Sequence, residues 1–162
     1  MFNHRKLAQK GFTLIELLIV IAIIAILAAV VFVALNPLQR FKDARDARRW
    51  SNVSELLSAI KLNQVDNGGS YLATLAGATA STIYEIGTSG SGCDTGCTAI
   101  STAAVCLDLS GLITSGHIGS IPTDPSGGTA AKTLYYITKA STGIVTVGAC
   151  VPEGSSAISV AR

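Results

Sequence analysis

The chain has 162 residues, 49% of them hydrophobic and 14% charged, with a formal net charge of +2. That length suits one small domain beside any membrane segment and argues against a second. Arg5, Lys6 and Lys10 supply the excess: without them nine basic face ten acidic side chains, a balance of −1 that gives no ground for a nucleic-acid partner.

The stretch Lys10-Gly11-Phe12-Thr13-Leu14-Ile15-Glu16 leads into an apolar run from Leu17 to Leu35, 19 residues with no charged or hydrogen-bonding side chain. At about 1.5 Å per helical residue the run spans roughly 28 Å, close to the hydrocarbon thickness of a bilayer. Glu16 lies just inside it, and an acid in hydrocarbon needs a partner. A secretory signal places its small-residue cleavage site after the apolar run; here the small residue at the boundary, Gly11, comes before it. A cut there leaves the membrane helix on the product.

In these residues the chain resembles type IV prepilins and the related pseudopilins of type II secretion, whose leaders end in Lys-Gly-Phe-Thr-Leu-Ile-Glu. The resemblance implies cleavage between Gly11 and Phe12 by a prepilin peptidase and N-methylation of Phe12. It also implies a homo-oligomeric helical filament, built with minor pilins by a membrane assembly platform, in which Glu16 pairs with a neighbouring subunit's Phe12 amine. That role agrees with the physics, because an opposite charge in the same layer removes most of the penalty on a carboxylate in hydrocarbon. The expected regions are a leader at 1–11, a transmembrane or filament-core helix at 12–36, and a helix continuation with a globular head at 37–162.

Five Lys and Arg residues follow the span closely, against three before it, so the positive-inside count alone favours the opposite orientation. The leader motif is the stronger signal and places the head outside the inner membrane. No Gly or Pro interrupts Leu17 to Asn36, unlike many family members, and Pro37 is expected to kink the helix. From Leu38 to Val65 the spacing predicts an amphipathic helix whose core stripe is Trp50, Val53, Leu57 and Ile60, widened by Leu56. Its first turns carry Arg40, Lys42, Arg45, Arg48 and Arg49 with Asp43 and Asp46. The plain reading is a solvated face near headgroups; the sharper one sets these arginines against acidic patches on adjacent subunits. Asp66-Asn67-Gly68-Gly69-Ser70 stops the helix.

From Ala73 to Ala104 the composition is Ala, Thr, Ser and Gly, with one candidate strand at Ile83 to Ile86. Cys93, Cys97, Cys106 and Cys150 are read as two disulfides, with Cys93–Cys97 and Cys106–Cys150 the favoured pairing. A zinc site is the rival, but Cys93 and Cys97 lack a second closely spaced pair of ligands, so no metal and no cofactor is expected. Leu112 to Pro125 also resembles pilins and major pseudopilins, in an Ile-Pro-x-Asp-Pro loop whose prolines make it a rigid turn. Asp124 and Asp108 are too sparse a set for calcium. Residues 134–138 and 144–147 read as paired strands joined by a loop ending in Gly143, and 157–160 as a third.

The predicted class is therefore α+β, the pilin fold: one long N-terminal helix, its outer half amphipathic, packed on a small antiparallel sheet with disulfide-tied loops. Catalysis has little support. His117 is the one histidine beyond the leader, expected as a half-buried ring, and a trio of His117, Asp124 and a serine is common by composition alone. The leading function is a structural subunit of a type IV pilus. The alternative is a pseudopilin of a type II secretion or DNA-uptake system, and an envelope-anchored binding protein or enzyme ranks third.

Overall fold

The computed structural model describes residues 11–154 and 156–162. His4, Arg5, Lys6 and Lys10 lie outside them. The chain divides after Arg40 into two units.

In the first unit, α1 (Leu14–Leu35) starts at the N-cap Thr13 and buries none of its side chains. It ends where Asn36 adopts the left-handed conformation (φ 38°, ψ 68°), one that Asn tolerates better than most residues. The expected kink at Pro37 is thus a break one residue earlier. Pro37 opens α2 (Pro37–Asp66), where its missing N–H is no loss, and the Asn36 carbonyl accepts from Gln39 N (3.0 Å) and Arg40 N (3.3 Å).

The second unit holds the rest of α2. Its buried face is Arg49, Val53, Leu56, Leu57, Ala59, Ile60 and Asn63. Trp50, expected in the core stripe, is 43% exposed: the buried row enters at Arg49, and Trp50 lies a further 100° or so round the helix. The C-terminus closes as foreseen, with Gly68 at φ 62° and the bonds Gly69 N to Gln64 O (2.8 Å) and Gly68 N to Val65 O (3.1 Å) of a Schellman motif.

After the short α3 (Ala73–Ala76) come β1 (Ile83–Glu85), α4 (Gly111–Thr114), β2 (Tyr135–Lys139), β3 (Val145–Ala149) and β4 (Ser159–Ala161). The four strands form one antiparallel sheet in the order β1-β2-β3-β4. Gly143, at φ 86°, closes the β2–β3 hairpin, as expected. The face carrying Tyr135, Ile137, Val145 and Val147 packs with Val53, Leu56, Leu57 and Ile60 of α2 in one core. On the opposite face Tyr136 packs with Cys97 and Cys150.

The disulfides are Cys93–Cys106 and Cys97–Cys150, not the expected pairs. Backbone bonds explain the difference. Cys93 N donates to Ala104 O (3.0 Å) and Ala103 N to Ile83 O (2.8 Å), which doubles the loop back so that Cys106 meets Cys93. Cys97 then reaches Cys150 just beyond β3.

Candidate processing and assembly site

Gly11 and Phe12 precede α1 as exposed, non-helical chain, and the Phe12 ring is 83% exposed. A side chain at Gly11 would meet nothing within 4 Å in this structure, so its space is not what calls for glycine. Thr13, in extended geometry, begins the helix through a capping box. Its N–H and hydroxyl both donate to Glu16 Oε2 at 2.8 Å, and Glu16 N–H donates back to Thr13 Oγ1 at 3.3 Å. The Thr-x-x-Glu spacing is legible in the sequence and gives Glu16 a task within its own chain beside the expected intermolecular one. The box fixes the carboxylate at the positive end of α1, which favours a negative charge there. Beyond it α1 is apolar on every side, the pattern of a helix that lipid or other helices must cover.

The head carries a charged cluster that helical spacing did not reveal. Arg49, with no solvent exposure, donates from Nε to Asp124 Oδ2 (2.6 Å) and from Nη2 to Asp124 Oδ1 (2.9 Å). The same guanidinium reaches Asp46 (2.7 Å), Ser126 Oγ (2.6 Å) and Glu153 (3.1 Å). Arg45 forms a two-bonded pair with Glu153. Arg45, chiefly, and then Ser126 hold the Glu153 carboxyl well below the usual carboxylate range. For Arg45 and Arg49 the solvated-face expectation is therefore corrected, since both pair inside their own head. Asp124 stays the anchor of a rigid turn, its Oδ1 also accepting from Ser126 N at 2.8 Å. Asp108 instead accepts from Ser110 N. The two acids thus have separate structural tasks.

His117 is held between Ser115 Oγ (Nδ1, 2.7 Å) and Asp66 Oδ2 (Nε2, 2.8 Å), a Ser-His-Asp chain whose acid is not Asp124. Its geometry is poor for attack. The Ser115 hydroxyl donates to Gly111 O at 2.8 Å, and Ser115 is the C-cap of α4, where carbonyls rather than N–H groups are left over. The chain ties the last residue of α2 to the loop after α4.

Glu85 is fully buried, a placement that strand alternation does not suggest, because it shares the outer sheet face with Ile83 and the cysteine loop covers that face. Burial pushes its carboxyl up, against the opposing effects of the Leu134 N–H and Lys132.

Residues 6–32, which include Gly11, Phe12 and Glu16, match the family model described as the prokaryotic N-terminal methylation motif, the signature of type IV prepilins and pseudopilins. No curated protein and no solved structure matches the chain.

Proposed function

We propose that the chain is the structural subunit of a type IV pilus. It is made as a prepilin with leader 1–11, cut by prepilin peptidase between Gly11 and Phe12, N-methylated on Phe12 and polymerised through the 12–36 helix, with the 37–162 head outward. The observation that carries this reading is a methylation motif whose match spans both the exposed, non-helical Gly11–Phe12 and most of a helix that buries none of its apolar side chains. The motif and α1 fit a membrane-anchored precursor; the mature subunit then exchanges lipid for neighbouring helices, and Glu16 sets register against a neighbour's Phe12 amine.

Intact mass and N-terminal analysis of native membranes and of sheared surface material tests it. Methylated Phe12 as the first residue of sheared filaments is the expected result. The same terminus confined to the envelope replaces the pilus with a pseudopilus, and an uncut chain overturns the reading. Two substitutions separate the roles of Glu16. Glu16→Gln keeps an acceptor for the capping box but removes the charge, whereas Glu16→Val removes both. Both variants should insert in the membrane and both should lower assembly; normal filaments from Glu16→Gln would sink the charge-pairing role.

A further inference from the structure

The cysteine loop covers Glu85 with more than apolar surface. One carboxylate oxygen of Glu85 and the two sulfurs of Cys93 and Cys106 lie within 4.8 Å of one another, and all three residues are buried. Glu85 Oε1 accepts from Leu134 N at 3.1 Å, while Oε2 has no hydrogen-bond partner among the described residues. The backbone of Gly96 closes over the carboxylate so tightly that a Cβ there would stand 2.5 Å from Oε2. A purely structural outer-face position is served as well by an uncharged residue, and an unpartnered buried oxygen is costly.

We propose that Glu85, Cys93 and Cys106 form a redox-gated site for a thiophilic divalent cation such as Zn²⁺, closed while Cys93 and Cys106 are joined and open when they are a dithiol. Reduction breaks the S–S bond. A reducing dithiol gives up two electrons, becomes its own disulfide, and its two protons end on the Cys93 and Cys106 sulfurs. The cation displaces those two protons, and any proton on Glu85, and takes two thiolates and the Glu85 carboxylate. Two soft sulfurs with one oxygen suit zinc or cadmium and not calcium or magnesium. Disulfide and metal are mutually exclusive, so occupancy belongs to the interval before oxidation or after reduction.

The test uses the full chain in detergent micelles, with Cd²⁺ as the probe and its thiolate charge-transfer absorbance as the signal. A phosphine serves as reductant, consuming one water and leaving as its oxide, so that no added thiol competes for metal. Cys97→Ala/Cys150→Ala removes the other cysteine pair. The oxidised form should give no signal; the reduced form should bind one Cd²⁺ per chain, displaced by Zn²⁺. Adding Glu85→Gln should weaken binding about tenfold or more. Equal affinity with Glu85→Gln overturns the proposal, as does a signal that disappears when Cys97 and Cys150 alone are removed. If that double variant does not fold, the comparison moves to the reduced four-cysteine chain, where equal affinity with and without Glu85→Gln again overturns it. A reduced chain that loses its near-ultraviolet circular dichroism and does not regain it on adding Cd²⁺ also overturns it.

Discussion

Replacing Arg49 should cost far more than replacing its buried partner. The cluster holds two cations, Arg45 and Arg49, and three carboxylates, Asp46, Asp124 and Glu153, a formal balance of −1. Arg49→Met shifts it to −2 and strips Asp124, whose side chain has no exposure, of its only ion-pair partner in the cluster. Removing one member of a buried pair costs about 3–5 kcal/mol. For a unit of this size that is roughly 10–20 °C of melting temperature. Asp124→Asn moves the balance to zero, keeps an oxygen for Ser126 N, and leaves Arg49 with Asp46 and Glu153, so its cost should be about 1–2 kcal/mol. The sign of the pH dependence should be kept. In the parent the depressed Glu153 carboxyl contributes stability that is present above its unfolded pKa and lost as pH falls through the folded value. Arg45, the chief partner of Glu153, remains in Arg49→Met, so this loss of stability in acid should persist there. Urea and thermal unfolding of the full chain in micelles, followed by near-ultraviolet circular dichroism without reductant, reads both effects. The reasoning fails if Asp124→Asn costs as much as Arg49→Met, or if Arg49→Met stays within about 1 kcal/mol of the parent, the scale of a surface pair.

Three further outcomes are expected. Opening Cys97–Cys150 by double Ala substitution should cost about 1 kcal/mol more than opening Cys93–Cys106, because the sequence separations are 53 and 13 and loop-closure entropy grows with their logarithm; equal urea midpoints would contradict this. Gly148→Ala should destabilise by about 1–3 kcal/mol through overpacking, since its Cβ would stand 2.5 Å from the Tyr136 ring. Truncating Tyr136 in the same chain should make the added methyl cheaper, and a strictly additive double-mutant cycle would locate the strain elsewhere. The raised Glu85 carboxyl makes the folded state hold an extra proton between its unfolded and folded pKa values, so parent stability should fall as pH rises through that window and the Glu85→Gln profile should be flatter; matching slopes would refute it.

What the sequence revealed and what it hid follow from the range of each interaction. The apolar helix, the Gly68 stop, the Gly143 hairpin and the strands around Tyr135 and Val147 rest on spacing and turn chemistry within a few residues, and the structure has them all. The core register of α2 failed at one residue. Hydrophobic periodicity takes Trp50 and treats an arginine as solvated; the remote partners Asp124, Ser126 and Glu153, 75 to 104 positions later, make Arg49 a core residue. The disulfide pairing failed similarly. Four cysteines allow several pairings, and the choice was made by the loop doubling back on β1, a non-local backbone arrangement that composition does not encode. At the N-terminus the order reverses. The motif gave the chemistry expected of Gly11, Phe12 and Glu16, while the fold adds that Glu16 already has a local task in capping α1.

The contrast between the two units argues for how the molecule must be held. In the head, polar groups that leave water are largely paired within the chain, and the apolar residues of α2 and the sheet cover one another. The helix α1 has no such closure: sixteen large apolar side chains between Leu14 and Leu35 are exposed. At about 1.5 kcal/mol for each when fully covered, they represent on the order of 20 kcal/mol, more than the whole folding stability of an ordinary domain. The chain alone in water is thus far from its lowest free energy, and lipid or another apolar surface must supply the cover. Apolar burial alone is indifferent to sliding along the helix axis, because α1 is apolar all round and nearly uniform along its length. A register needs a feature that occurs once, and in α1 the one ionisable side chain is Glu16. The capping box holds that carboxylate through Oε2, with no bond to Oε1 among the described residues, so the proposed pairing with a neighbour's amine would leave the start of the helix intact.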